Sequence, residues 1–95
     1  MTTDTSIPDP ASESGREVIA RLETELIAWL TTVTADGRLQ SSPVWFLWSA
    51  GEFQVFSRDG APRARNIAAN PHVSVHLNSD DKGDGIVTFE GLARL

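Results

Sequence analysis

The chain has 95 residues, no cysteine, eight Lys and Arg against thirteen Asp and Glu, and a formal net charge of −5. A chain of this length forms one small domain with a marginal core. The lack of cysteine excludes disulfides and thiolate metal sites and favours a reducing, cytoplasmic location. No apolar run approaches the ~20 residues of a bilayer span, and an acidic chain without a broad basic stripe is not expected to bind nucleic acid.

Residues 1–13 are expected to form a disordered tail. They contain Asp4, Asp9 and Glu13, no basic residue, and many Ser, Thr and Pro residues. Such a segment is too polar to fold alone. A signal peptide begins with basic residues followed by an apolar run, whereas this segment is acidic and polar. The folded domain is therefore expected over residues 14–95.

A helix and two strands are predicted next. In SESGREVIARLETE the apolar residues recur at helical spacing, which predicts a helix over about residues 14–25 with Ser14 as its N-cap. The stretch LIAWLTTVT is rich in β-branched and aromatic residues, and the Asp36-Gly37 pair after it is typical of a two-residue hairpin turn. The first strand should therefore turn directly into the second.

The second strand, LQSSPVWFLWSAG, is apolar on both faces. Val44, Phe46 and Trp48 fall on one face, and Trp45 and Leu47 fall on the other. Such a strand needs cover on both sides, from the core on one and from another subunit or a flat ligand on the other. Pro43 lies within this second strand and cannot donate to a ladder, so it marks the start of the apolar run, a bulge or an edge position.

The rest of the chain predicts three more strands and one short helix. EFQVFS then completes an antiparallel meander, and Pro62 and Pro71 bracket a helix over about residues 62–69. HVSVHLN and IVTFEGLARL follow as strands four and five. Because the sequence stops inside an apparent strand, a C-terminal portion is expected to be missing.

Three arginines cluster in SRDGAPRARNIAANP. Arg63 would lie in the first helical turn, where free N–H groups and the helix dipole favour an anion. Ser57 adds a hydroxyl donor, Arg58 a planar fork suited to phosphate oxygens, and Arg65 is the second helical candidate. The alternative is that all three arginines are solvated, with Arg58 paired to Asp59 or to the glutamates of the N-terminal helix at little energetic gain.

No side chain is equipped for proton or acyl chemistry. His72 and His76 share a strand face but are separated by ~13 Å, which is too far for one metal ion. Cysteine is absent, no serine lies in a nucleophile elbow, and the carboxylates form no acid and base pair. Neither catalytic nor metal-ligating residues are therefore assigned, and an anion site beside an apolar strand would let a bound cofactor do the reaction.

The order AWLTTV, DGR, PVWFLW, GEFQVFSR, ARNIAANPHVSVHL and VTFEGLARL covers about residues 24–95. It resembles the pyridoxamine 5'-phosphate oxidase-like split β-barrel proteins, and most closely their deazaflavin-dependent branch, which uses coenzyme F420. The resemblance implies a mainly β (α+β) fold, a split antiparallel β-barrel with an N-terminal helix and one short helix between strands three and four. It also implies a homodimer with flavin or deazaflavin held in a groove between the subunits.

The same resemblance implies the site residues. The family's phosphate contacts fall on Ser57 and Arg63, an arginine frequent in the deazaflavin branch falls on Arg58, and the ring-lining segment falls on residues 42–47. With Arg65 added from its position in the short helix, the cofactor-binding candidates are Ser42, Pro43, Val44, Trp45, Ser57, Arg58, Arg63 and Arg65.

Departures from the oxidase pattern favour F420 over FMN. The oxidase's basic pair becomes Pro62-Arg63, one of its arginines aligns with Ser42, and its flavin-contacting glutamine aligns with Ile86. The implied function is an oxidoreductase that transfers a hydride from reduced deazaflavin, or flavin, to a small organic acceptor. The alternatives are a non-catalytic flavin-, deazaflavin- or haem-binding module, and a chain that binds nothing.

Overall fold

A computed structural model describes residues 8–58, 60–80 and 82–95. In the described part, five antiparallel strands form one curled sheet in the order β3-β2-β1-β4-β5. This confirms the predicted mainly β (α+β) fold, a split antiparallel barrel with an N-terminal helix and a short helix between the third and fourth strands. The elements in chain order are α1 (Glu13–Thr24), β1 (Ile27–Val33), β2 (Leu39–Ser49), β3 (Glu52–Val55), α2 (Pro62–Ala69), β4 (His72–His76) and β5 (Thr88–Leu92).

Helix α1 begins slightly earlier than predicted. Its N-cap is Ser12, whose Oγ accepts a hydrogen bond from the Gly15 amide at 2.9 Å, so the prediction of Ser14 as the cap was wrong. The backbone N–H of Ser12 bonds the Asp9 carbonyl at 3.2 Å, and this turn sets the cap two residues before Ser14. Residues 1–7 of the predicted tail lie outside the described residues.

The turn between β1 and β2 is one residue longer than predicted. The Thr34 amide bonds the Arg38 carbonyl at 2.7 Å, and the Gly37 amide bonds the Thr34 carbonyl at 3.0 Å. Three residues therefore lie outside the ladder rather than two. Gly37 has a φ of 85°, the left-handed conformation that such three-residue loops place after their turn.

The sheet curls until its two edge strands meet through their side chains. The rings of Phe53 on β3 and Phe89 on β5 have centroids 5.1 Å apart, in an edge-to-face arrangement. Arg94, which follows β5, also approaches β3, since its Nη2 lies 3.6 Å from Glu52 Oε1. The apolar core fills the concave side and comprises Leu22, Ala28, Leu30, Val44, Phe46, Phe53, Ile67, Val73, Val75, Leu77, Phe89 and Ala93.

Strand β2 has two halves with different neighbours. In the described residues β3 pairs only with Phe46–Ser49, whereas β1 pairs with residues 39–45. The Phe46 amide bonds the Leu26 carbonyl at 3.1 Å, so the even-numbered residues of β2 bond toward β1. Pro43 is therefore an edge position, because its missing N–H would face the side that β3 has left.

The alternation predicted for β2 is confirmed. Val44 and Phe46 are buried, and Trp48 is packed against the core, whereas Trp45 and Leu47 are exposed. Apolar side chains thus cover both faces of the strand, as the sequence predicts.

Helix α2 begins with Pro62 at its first position, as predicted, and its single buried residue is Ile67. It carries the chain from the β3 edge to β4, which pairs with β1 on the other side of the sheet. Among the described residues, neither helix is long and apolar enough to cross a membrane.

Candidate functional site

Arg63 joins three elements where β2 loses its second neighbour. Its Nε donates to Ser57 Oγ at 2.6 Å, and its Nη1 donates to Ser42 Oγ at 3.3 Å. Ser57 follows β3, Ser42 lies on β2, and Arg63 is the second residue of α2. A guanidinium carries five N–H donors, so these two bonds fix its plane and leave further donors for a ligand.

A cleft of about 500 Å³ opens beside this guanidinium, and we call it the edge cleft. Its volume lies within the range usual for small-molecule sites. Trp45 and Phe56 are 73% and 68% exposed, so the apolar wall is open to a ligand. Among the described residues, its lining supplies two guanidinium groups and no carboxylate. The lining consists of Ile27, Pro43, Val44, Trp45, Phe56, Ser57, Arg58 and Arg63.

A second cavity, of about 400 Å³, is also lined by Arg63, and we call it the polar cavity. It is lined by Thr32, Gln40, Ser41, Ser42, Pro62 and Arg63. The two cavities together contain seven of the eight predicted cofactor-binding residues. The predicted residues that they hold are Ser42, Pro43, Val44, Trp45, Ser57, Arg58 and Arg63.

Arg65 lines neither cavity and is exposed. Two helical residues separated by one position point about 200° apart, so the side chain of Arg65 leaves α2 on the other side from Arg63. The structure therefore does not bring Arg65 to the other candidates.

The sequence interpretation missed Asn66, which anchors α2 to the sheet. Its Nδ2 donates to Thr32 Oγ1 at 3.0 Å and to Gln40 Oε1 at 2.8 Å. Thr32 is only 2% exposed and is the one buried polar residue reported among the described residues. Asn66 lies three residues after Arg63, a spacing that places both on one side of a helix, and this spacing was the available signal.

Two further cavities of the described residues have a different character. An outer groove of about 500 Å³ crosses β1, β4 and β5 and includes His72, Ser74, Glu90 and Leu92. A cavity of about 600 Å³ beside the start of α1 includes Asp9 and Glu90. Both linings, as described, contain carboxylates and lack arginine and lysine. Of these cavities, the edge cleft and the polar cavity have the charge that attracts an anion.

The fold and the edge cleft define a split-barrel protein with a cationic, partly aromatic cleft at the edge of its second strand. The model of the pyridoxamine 5'-phosphate oxidase family matches residues 15–95, and the chain belongs to that family. A comparison with curated proteins finds none that matches the chain.

Three solved structures are similar to the chain. An F420 reductase is 29% identical, with a TM-score of 0.72 over 80% of this chain and 60% of its own. HutZ, the haem storage protein from Vibrio cholerae, is 26% identical, with a TM-score of 0.70 over 83% of this chain and 60% of its own. The conserved hypothetical protein Rv2991 from Mycobacterium tuberculosis is 26% identical, with a TM-score of 0.76 over 97% of this chain and 57% of its own. The chain therefore spans about 60% of the length of these structures.

Proposed function

We propose that the chain is an oxidoreductase that binds coenzyme F420, or else FMN, and passes a hydride from the reduced coenzyme to a small organic acceptor. The observation that carries this proposal is the guanidinium of Arg63, which Ser57 and Ser42 hold at the wall of a cleft that also contains the exposed Trp45. The similarity to an F420 reductase supports the deazaflavin as the first choice.

The residues of the edge cleft fit the two parts of such a coenzyme. Arg58 and Arg63 offer planar N–H pairs and Ser57 offers a hydroxyl, which are the donors that suit a phosphate. Pro43 and Trp45 offer an apolar surface for a flat ring system. The anionic and the aromatic part of one ligand would thus find their partners within a single cleft.

The bound coenzyme would supply the hydride chemistry, and the side chains of the chain would orient it and exclude water. The described lining of the edge cleft contains no histidine, carboxylate or lysine. We therefore assign no side chain as an acid or base. The acceptor gains the hydride from the coenzyme, and solvent supplies the proton that completes its reduction.

A homodimer is part of the same proposal. Leu39, Trp45 and Leu47 on β2 are all exposed, and a second copy of the chain would cover this apolar strand face. A complete ring site would then be expected only in the dimer. Sedimentation velocity should give the mass of two chains, and a monomer that binds the coenzyme with undiminished affinity would contradict this part of the proposal.

We also propose a cytoplasmic location, since cysteine is absent.

A non-catalytic haem-binding module is the second candidate, and the similarity to the haem storage protein HutZ favours it. The two candidates differ in what the protein retains and in what it turns over. Incubation with F420, FMN or haem, followed by desalting and a visible spectrum, identifies the retained group. Stopped-flow oxidation of the reduced, bound coenzyme, with and without candidate acceptors, then separates an enzyme from a binding module.

The role of Arg63 is tested by substitution. Because a charge-assisted hydrogen bond contributes ~1.5–3 kcal/mol, Arg63→Ala should weaken F420 or FMN binding by about 10- to 100-fold. Arg65→Ala is the matched control, because it removes the same charge from the same helix outside both cavities. Titration by tryptophan fluorescence measures the affinities. Equal affinity of the Arg63→Ala variant and the unmodified chain would exclude Arg63 as a phosphate ligand.

A further inference from the structure

We propose that Asn66 is a positioning residue that holds Arg63 in place and thereby determines how strongly the edge cleft prefers a phosphate-bearing ligand. This inference rests on the proposed function, because it concerns the anion contact of the same cleft. Asn66 does not line the edge cleft or the polar cavity in the described residues, so it would act through the helix that carries Arg63.

Helix α2 needs outside support to keep its position. It has only eight residues, its N-cap Ala61 makes no side-chain hydrogen bond, and Ile67 is its single buried residue. A helix of this length is not stable alone in water. One apolar anchor also permits rotation about the point of contact, so polar contacts must set where the first turn lies against β2.

The side-chain amide of Asn66 supplies such a contact. Thr32 and Gln40 are direct cross-strand partners on β1 and β2, and Nδ2 of Asn66 donates to the side chains of both. An amide nitrogen has two protons, so each acceptor takes one of them. This arrangement fixes the amide in two directions at once and leaves no N–H of the group unused.

Arg63 makes the neighbouring contact along the same strand. Gln40 and Ser42 are two residues apart on β2 and therefore point to one face. Asn66 meets Gln40 and Arg63 meets Ser42, so two polar contacts align α2 with β2. Without the contact of Asn66, the helix would keep only the anchor at Ile67 and the bonds of Arg63 itself. The guanidinium would then lose its fixed orientation toward Ser57.

Phosphate preference is the property that this role controls. FMN and riboflavin share one ring system and differ in the phosphate, so the ratio of their affinities isolates the anion contact from ring binding. A loss of general stability would weaken both members of this pair alike, whereas a misplaced Arg63 would weaken the phosphate-bearing member alone.

The test measures both affinities by coenzyme fluorescence for single and double variants of the full chain. Asn66→Ala should lower the phosphate preference by about three- to ten-fold, with riboflavin affinity changed less than about two-fold. Gln40→Met keeps the side-chain length at an exposed position but removes the acceptor of the Asn66 amide. It should therefore also lower the phosphate preference. Arg63→Ala combined with Asn66→Ala should show no greater loss than Arg63→Ala alone, because the effect of Asn66 passes through Arg63.

Asn70→Ala is the matched control. Asn70 follows α2, and its Oδ1 accepts a hydrogen bond from the His72 amide at 3.0 Å. This bond involves neither Arg63 nor its two serine partners. It should leave the phosphate preference unchanged. The inference is overturned if Asn66→Ala weakens both members of the pair equally, or if the effects of Asn66→Ala and Arg63→Ala add. An unmodified chain that binds the coenzymes without preferring phosphate, or binds none of them, would instead overturn the proposed function itself.

Discussion

The two halves of β2 have different roles, since one packs into the core and the other lines a cleft. Phe46–Ser49 pairs with β3, the Phe46 amide also bonds the Leu26 carbonyl just before β1, and the ring of Phe46 lies 5.4 Å from that of Phe53. Residues 39–45 pair with β1 alone in the described residues, and they carry Ser42, Pro43 and Trp45. The half that pairs with β3 packs its aromatic rings into the core, and the half that β3 does not reach opens onto a cavity. Loss of a strand neighbour thus creates the place where a ligand can lie.

The segment that ends the pairing of β3 also equips the cleft. β3 ends at Val55, and the next residues supply Phe56, Ser57 and Arg58 to the lining. Gly60 then has a φ of 79°, a left-handed conformation that favours glycine, just before α2 begins. The segment that follows β3 therefore places the Ser57 hydroxyl and the Arg58 guanidinium beside the part of β2 with which β3 does not pair.

The largest effect should come from the core, at the residue of β3 that pairs with Trp48 in the core half of β2. Phe53 has no exposed surface, and its ring lies 5.0 to 5.4 Å from those of Phe46, Trp48 and Phe89. Phe53→Ala should lower the free energy of unfolding by ~3–5 kcal/mol, a large share of the ~5–15 kcal/mol that a domain possesses. Denaturant unfolding followed by circular dichroism measures the loss.

Phe56→Ala is the control for this core substitution. It removes the same side chain three residues later, where it is exposed in the edge cleft, and should cost no more than about 0.5 kcal/mol. If the Phe53→Ala chain does not fold, Phe53→Leu gives a smaller, measurable loss. Equal losses for the Phe53 and Phe56 variants would contradict the contrast between the core, which Phe53 fills, and the open edge cleft, which Phe56 lines.

A smaller effect, on binding rather than stability, should come from Trp45. Its exposed ring belongs to the edge cleft, so Trp45→Ala should weaken coenzyme binding by about three- to ten-fold with little change in stability. Leu47→Ala, on the same exposed face but outside the cleft, should weaken coenzyme binding less than Trp45→Ala, because Leu47 would act only through the proposed contact between two chains. Isothermal titration with F420 and FMN compares the variants. A larger loss from Leu47→Ala than from Trp45→Ala would contradict this prediction and would place the coenzyme ring farther along β2.

The sequence predicted the strands and α2 because periodicity and proline positions are local signals. It placed Arg63 near Ser57 through the resemblance and through the end of β3, and the hydrogen bond between them agrees with that placement. The contact of Asn66 with Thr32 and Gln40 could not be predicted in the same way. It depends on how α2 lies across two strands that are distant in the chain.

The two turn errors have a local cause. Ser12 and Ser14 are equally good caps by residue type, and only the turn closed by Asp9 selects Ser12. Likewise, Asp36-Gly37 suits a two-residue loop and the end of a three-residue loop. The register of β1 on β2, which pairs Val33 with Leu39, decides between them.

The smallest effect should arise at the turn that leads into the open half of β2. Asp36 accepts a hydrogen bond from Thr34 Oγ1 and lies 3.0 Å from Arg38 Nε. The bond from Thr34, with a further contribution from Arg38, lowers the pKa of the Asp36 carboxyl below its usual value. A carboxyl whose pKa is lower in the folded than in the unfolded chain adds stability above the unfolded pKa of ~3.9 and loses it as the pH falls through the folded pKa.

Asp36→Asn should therefore be slightly less stable than the unmodified chain at neutral pH, and the difference should shrink as the pH falls below ~4. Because Asp36 is fully exposed, solvent screens the interaction and the difference should be near the limit of detection. Unfolding midpoints at pH 7 and at ~2.5, with Arg38→Gln as the companion variant, give the comparison. A difference that grows on acidification would mean that protonated Asp36 stabilises the turn. The entry into the open half of β2 would then depend on its neutral hydrogen bond with Thr34 rather than on its charge.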